Sequence, residues 1–479
     1  MIATAVSPNT DQATLTRIFE LQKDYAKEIA NSSFFVRQEK LKRIKRYLEN
    51  EENLEALKDA MFADFKKPRE EVLLSEAVIV KKHIDFVLSK LRQWMQPKKV
   101  STPLSLTGSS SKIIYEPKGT TLIISPWNYP FQLTMDPLIS AIAAGNTAIL
   151  KPSEMTPNSS AFMQKMIEEL FEEKEVAMVQ GDASIASALL DMPFDHIFFT
   201  GSPQIGKIVM AAAAKNLTSV TLELGGKSPA IIDETVNVKK VAAQTVWGKF
   251  LNNGQSCIAP DYIMVHESKK DDFMDAMASS IEKMYRMDGK GIQESHQLSR
   301  IVNQKHYQRV AGILQDALDK GARIVYGGEK DETDNYIQPT IITDVTDDMR
   351  VMQEEIFGPV MPVIGYSQKE EVVEAIQSRP KPLALYIHSK KKKAIKDFMA
   401  NTSAGGTTVN DYHLHIGNPA LPFGGVNNSG VGKSHGWFGF EAFSNQRAVT
   451  TQKFGTLSFI YPPYTSTVKR IMNFMFRYL

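Results

Sequence analysis

Between Thr120 and Leu224 short apolar runs alternate with helical segments, and no other feature constrains the fold as much. The run TLIIS (121–125) has the continuous apolar, β-branched character of a strand buried on both faces. The pattern continues as helix over 138–144, strand 146–150, helix 157–171 and strand 176–179. It closes with helix 185–190, strand 197–200, helix 205–215 and strand 220–224. Strands that alternate with helices predict a doubly wound parallel α/β sheet. Such sheets bind ligands at the carboxyl ends of their strands, so the chemistry is sought there.

The flanking segments read differently. Residues 11–95 read as helices, with apolar positions Leu15, Ile18, Phe19 and Leu21, then Leu41, Ile44, Tyr47 and Leu48. Pro97 closes this region, and the polar stretch 101–112 suggests a hairpin turn or an exposed connector. Gly225-Gly226 breaks the alternation. A second α/β region follows, with strands expected at 230–232, 262–265, 323–326 and 360–364. A chain of 479 residues has room for two domains, at about 100–200 residues each, and the boundary is placed near Leu224.

Composition narrows the function classes. Fifty-six basic against 54 acidic residues leave a net charge of +2, so the total shows no nucleic-acid footprint. The run Lys390–Lys393 with Lys396 reads as a solvated loop or helix start. The opening MIATAVSPNTDQATL has neither the basic start nor the apolar core of a secretory signal. No apolar run reaches the roughly 18–20 residues that span a bilayer. A single cysteine, Cys257, rules out an intrachain disulfide framework and a Cys-cluster metal site. These features predict a soluble, cytoplasmic protein.

Several residues fall where chemistry is expected. Cys257 lies in the polar loop LNNGQSCIAPDY (251–262). A lone thiol is more often an inert buried side chain than a nucleophile, since reactivity needs a thiolate-favouring, partly open setting. GSPQIGK (201–207) follows a strand and precedes a helix, which suits a structural turn and a phosphate-binding turn equally. It nearly matches a P-loop, but Ile208 stands where a Ser or Thr would hold Mg²⁺, and the G-x-G-x-x-G dinucleotide fingerprint is absent. Asn128 in SPWNYP is either a turn former or an oxyanion donor. Glu223 is either a solvated turn residue or, if shielded, a general base. Lys151 and Glu154 in KPSE suit a helix start or contacts to ribose hydroxyls.

Taken together, Asn128, Lys151, Gly201 and Glu223 sit at or just after the ends of strands of one sheet, and Cys257 comes next along the chain. In this order the chain resembles the aldehyde dehydrogenase superfamily from about Arg37 to about Pro463. The resemblance is carried by PWNYP, GNTAILKPSE, FFTGSPQIGK, LELGGKSP, GQSCIAPDY, EEIFGPV and LPFGGVNNSGVGKSHG. It is strongest to the class that includes fatty and aromatic aldehyde dehydrogenases. Pro203, Asn253, Ser256 and Asn427 depart from the usual residues at their positions.

The resemblance implies oxidation of aldehydes to carboxylic acids with NAD or NADP. Cys257 becomes the nucleophile, Asn128 an oxyanion donor and Glu223 the base that activates water. Gly201, Ser202 and Gly206 would sit against the pyrophosphate, with Lys151 and Glu154 near the adenine-side ribose. Glu355 would grip the nicotinamide ribose, Phe357 would pack beside the nicotinamide, and Trp127 and Leu224 would line the same cleft. Tyr129 and Phe423 would wall the aldehyde pocket.

The family also implies a cofactor domain (1–98 and 119–224) and a catalytic domain (225–412). A β oligomerisation arm (99–118 and 413–463) would build a homodimer. His413 and His415 have only Asp411 nearby, too few ligands for a metal site. The alternatives are an inactive binding protein with this fold or a P-loop-type nucleotide hydrolase.

The tail 464–479 places Val468, Ile471, Met472, Met475 and Leu479 on one helical face and Lys469, Arg470, Asn473 and Arg477 on the other. It suits docking on protein or a helix lying in a membrane interface.

Overall fold

The computed structural model describes residues 9–286, 290–455 and 461–478. The opening residues 1–8 and Leu479, on which parts of the signal and tail expectations rest, lie outside this range.

The predicted parallel sheet is present. Its strands run in the order Gly430–Val431, Ser219–Glu223, His196–Thr200, Thr120–Ile124, Thr147–Lys151 and Val176–Met178. All are parallel except the short first one, which pairs antiparallel with Ser219–Glu223. The central strands are buried along their length because helices cover both faces. Successive residues of a strand point to opposite faces. Thus Ile123, Leu150 and Phe198 pack with helices Phe34–Glu49, Val78–Trp94 and Gln132–Ala144. Their neighbours Leu122, Ile149 and Ile197 pack with Gln12–Ile29, Ala183–Leu190 and Pro203–Ala214.

The second sheet has seven strands: Arg323–Tyr326, Thr340–Thr343, Val360–Tyr366, Tyr262–His266, Pro229–Ile232, Ala384–His388 and Gly406–Val409. Only the first pair is antiparallel. It too is covered on both faces, by helices Val238–Phe250 and Lys270–Tyr285 on one side and Gln304–Asp319 on the other. A third, antiparallel sheet joins Lys98–Val100, Ser109–Pro117 and Ser444–Gln452.

Three details differ from the sequence expectations. The helix expected at 138–144 begins at Gln132, with Pro137 inside it; the proline lacks the N–H that would bond the Leu133 carbonyl, so one bond of the ladder is missing there. Part of the stretch 101–112 is strand: residues from Ser109 onward pair with Ser444–Gln452, and Ser111 and Lys112 pair with Lys98–Val100 as well. Leu21 is exposed, whereas Leu15, Ile18 and Phe19 are buried.

Candidate active site

The strand register brings the chemical residues to one edge. Ile124 pairs with Lys151 and Phe199, and Thr200 pairs with Glu223, so all these strands end together. Asn128 comes after the first of them on a buried turn. Cys257 arrives from the second sheet, on the loop ahead of Tyr262–His266.

The segment before the thiol is conformationally unusual. Asn252, Asn253 and Gly254 hold φ of 54°, 58° and 74° in succession, a left-handed region that Asn and Gly tolerate best. Asn252 Nδ2 donates to the carbonyls of Asn128 at 2.8 Å and Gln255 at 3.2 Å. Asn128 Nδ2 in turn donates to the Gln255 carbonyl at 3.0 Å. One of the two amide hydrogens of Asn128 is thereby committed, which leaves the other for a ligand. Gln255 Nε2 donates to the Arg300 carbonyl at 3.0 Å, and its Oε1 accepts from Val302 N–H. The turn that carries Asn128 and the loop that carries Cys257 are thus cross-braced two residues from the sulfur.

Cys257 is half-buried. Burial pushes its thiol well above the usual range, and the nearby charges of Glu355 and Glu223 push the same way. Burial also pushes both carboxyls up, to about 8 each. Glu223 Oε1 accepts from Ser434 Oγ at 2.9 Å, whereas Oε2 is buried without a partner. Glu355 lies against Gly225 so closely that any side chain at Gly225 would collide with its carboxyl. The arrangement holds a protonated thiol beside an amide donor and two shielded carboxyls whose values lie near neutrality, so the thiol must first lose its proton to a base before it can act as a nucleophile.

The residues expected to hold a dinucleotide fit one. Ser202 caps helix Pro203–Ala214, whose N-terminus opens at the strand ends. Gly206 allows close packing there: a Cβ would come within 2.6 Å of Leu224 Cδ2 and that side chain would have to move. Leu224 therefore packs beneath this turn. Gly201 lies over the Phe199 ring. Lys151 is buried and donates to the Pro152 carbonyl at 2.8 Å, with Glu154 Oε2 at 3.5 Å. The Thr200 hydroxyl is buried without a partner at the same edge. Phe357, at a φ of 48°, meets Trp127 edge-on with centroids 5.4 Å apart.

Several supporting residues gave no signal in the sequence. Lys227 Nζ donates to the Val351 and Glu354 carbonyls and pairs with Asp261. Arg309 donates to the Glu355 and Ile356 carbonyls. Together they fix the segment that carries Glu355. Lys67 and Glu76 form an ion pair at 2.6 Å with both side chains fully buried. Glu76 Oε2 accepts from the N–H of Gln132, where the helix after Asn128 begins. Lys67 Nζ also sits 4.0 Å from the Tyr129 ring centroid, so that ring face is taken by the cation. Glu71 accepts from Asn252 N–H at 3.0 Å, and burial pushes its carboxyl up to about 7. Phe423 is buried in a stack between His415 and His435, in the cluster on which Cys257 packs. His413 Nε2 lies 2.8 Å from the Gly248 carbonyl and His415 Nδ1 2.8 Å from Thr408 Oγ1, so each ring is engaged by its own protein.

Comparison with known proteins agrees with this geometry. The model of the aldehyde dehydrogenase family matches residues 3–449. The 4,4'-diaponeurosporen-aldehyde dehydrogenase of Staphylococcus aureus is 43% identical, over 91% of this chain and 94% of its own. Aldehyde dehydrogenase family 3 member H1 of Arabidopsis thaliana is 44% identical, over 86% and 85%. Among solved structures, substrate-bound AldH of Staphylococcus aureus superposes with a TM-score of 0.91 at 41% identity, over 96% of this chain and 99% of that one. The NAD+ complex of a Bacillus cereus aldehyde dehydrogenase reaches 0.84 at 27% identity, over 93% and 90%. The nucleotide-hydrolase alternative is not favoured: Ile208, in place of its metal-binding hydroxyl, is an exposed helix residue. A cysteine loop and a dinucleotide-type sheet edge joined in this way, with relatives matched along nearly their full length, place the chain in the aldehyde dehydrogenase family.

Proposed function

We propose that the chain oxidises apolar, medium- to long-chain or aromatic aldehydes to carboxylic acids with NAD or NADP. The observation that carries this reading is the convergence of Asn128, Glu223 and Glu355 on the one cysteine. The Cys257 thiol gives its proton to the Glu223 carboxylate, which releases it to solvent, and Sγ bonds to the aldehyde carbon as the carbonyl pair moves to oxygen; the free amide hydrogen of Asn128 with the Cys257 backbone N–H holds that oxyanion. A nicotinamide dinucleotide, when bound, supplies the hydride acceptor that turns the resulting thiohemiacetal into a thioester. Lys151, Glu154, Gly201, Ser202 and Gly206 hold its adenosine and pyrophosphate side, and Trp127, Leu224, Glu355 and Phe357 its nicotinamide side. Glu223 takes a proton from water, and that water hydrolyses the thioester. The test monitors absorbance of reduced nicotinamide with an aliphatic aldehyde, for wild type and Cys257→Ala. No signal from the wild type defeats the reading and leaves an inactive binding protein.

The substrate class rests on the tail and on the name of the Staphylococcus aureus relative, a 4,4'-diaponeurosporen-aldehyde dehydrogenase. Helix Ser466–Tyr478 has no buried residue, carries Lys469, Arg470 and Arg477 with no acid, and exposes Phe474, Phe476 and Tyr478. In this reading it lies on a membrane surface or caps the substrate entrance. Deletion of 466–479 then reduces both binding to anionic vesicles and the preference for long over short aldehydes. The three-stranded antiparallel sheet is assigned to a homodimer contact, and light scattering at the mass of two chains is the expected result.

A further inference from the structure

The geometry points to Ser434 as a positioning residue for Glu223, one that holds the carboxyl in a single orientation through both its ionised and its protonated form. The inference rests on the reading of Glu223 as the hydrolytic base.

Three observations converge on it. First, Ser434 is fixed by its own backbone. Its N–H donates to the Phe423 carbonyl at 2.7 Å, and its carbonyl accepts from Phe423 N–H at 3.1 Å. The same chain segment pairs Gly430 with Glu223 across the sheet edge. Second, the hydroxyl has two acceptors, Glu223 Oε1 at 2.9 Å and the Phe423 carbonyl at 3.3 Å, but one hydrogen. When Glu223 is ionised the hydrogen goes to Oε1, the shorter and charge-assisted bond. When Glu223 takes its proton on Oε2, Oε1 keeps its lone pairs and the hydroxyl goes on donating to it, so the carboxyl stays in place. Third, Oε2 is buried with no partner among the described residues, so it is the oxygen left to take a proton from a reactant. The charged and titratable neighbours are Lys433, which favours the carboxylate, and the Cys257 thiol. Lys433 Nζ is itself spent on the carbonyls of Gly424 and Gly425.

The step served is balanced and redox-neutral. The water oxygen bonds to the thioester carbon as one of its protons passes to Glu223 Oε2. The carbonyl electron pair returns from oxygen and breaks the C–S bond, with that bond's pair leaving on Cys257 Sγ. The proton on Glu223 then passes to Sγ, restoring carboxylate, thiol and free carboxylic acid.

The test compares Ser434→Thr with Ser434→Val, which share a shape and differ in the hydroxyl. Each is measured by the pre-steady-state burst of reduced nicotinamide, the later steady-state rate, and its pH profile; Glu223→Gln is run alongside. We expect Ser434→Val to keep the burst and slow the subsequent turnover about tenfold at pH 7. Its acidic limb should move up by about one pH unit, the size of one lost hydrogen bond to a charge. Ser434→Thr should stay near wild type. Equal behaviour of the Thr and Val variants overturns the role of Ser434, even if Glu223→Gln stalls turnover. Unchanged turnover in Glu223→Gln overturns the base reading itself, and the Ser434 role with it.

Discussion

Breaking the Lys67–Glu76 pair from either side should cost different amounts, and the structure sets the order. Both side chains are fully buried at a separation of 2.6 Å. Removing one partner of such a pair costs about 3–5 kcal/mol, because the other charge is left unpaired. Glu76→Gln strands the Lys67 ammonium. The Tyr129 ring at 4.0 Å is worth about 2 kcal/mol when desolvated, and the Glu71 carboxyl also attracts the ammonium, but neither replaces the bond to Glu76, so most of the cost stays. Lys67→Met strands a carboxyl whose proton affinity burial has already raised. That carboxyl can take up a proton and still accept from Gln132 N–H. Its cost should therefore be about half, and it should depend on pH. A buried acid with a raised value contributes stability below its ordinary range and loses it as pH rises. Lys67→Met should accordingly gain on wild type as pH falls from 8 to 6, by at most about 1.4 kcal/mol per unit. Urea denaturation at pH 6 and 8, at one protein concentration, measures both variants. The reasoning fails if Glu76→Gln lies within about 1 kcal/mol of wild type, or if Lys67→Met is worse at pH 6 than at pH 8.

Three further outcomes are expected. Iodoacetamide should modify one thiol per chain, since the sequence holds one cysteine. In the ligand-free protein its rate should climb without a plateau through pH 9, because burial and two carboxyls raise Cys257; a plateau below pH 8 contradicts this. The hydrolytic rate should increase from pH 7 to 9, since a base pushed up to about 8 by burial is half ionised there, and Glu223→Gln should flatten the rise. Gly206→Val should raise KM for the dinucleotide at least about tenfold, with the aldehyde KM little changed, because its Cβ meets Leu224 at 2.6 Å; unchanged dinucleotide KM would place the cofactor elsewhere.

The range of each interaction decides whether it can be read in the sequence. The strands of the first sheet are legible because burial on both faces makes them continuously apolar, and a strand's carboxyl end is marked by where the apolar run stops. Asn128, Lys151, Gly201 and Glu223 are placed at strand ends on that basis; each alone reads equally as a turn or helix-start residue, and only their order along the chain and the family resemblance give them roles. The helix from Gln132 is partly hidden, since Asp136-Pro137 looks like a break although it lies inside the helix. Lys67, Glu71 and Glu76 are hidden for a deeper reason. In a helical pattern, charges mark the solvated face. Here Leu73–Ala77 is a π-turn, which adds a residue to the turn and rotates the next helix off the 3.6-residue period. Glu76 is thereby turned inward, against what its place in the pattern suggests. Ser434 is hidden by distance, 211 residues from the carboxylate it holds. The groups that perform the proposed chemistry are therefore local signals at strand ends, while those that orient them are charges and hydroxyls delivered from remote segments. A variant chosen from motifs alone would remove the chemistry; one chosen at Lys67, Glu76 or Ser434 would keep every reacting group and lose its alignment.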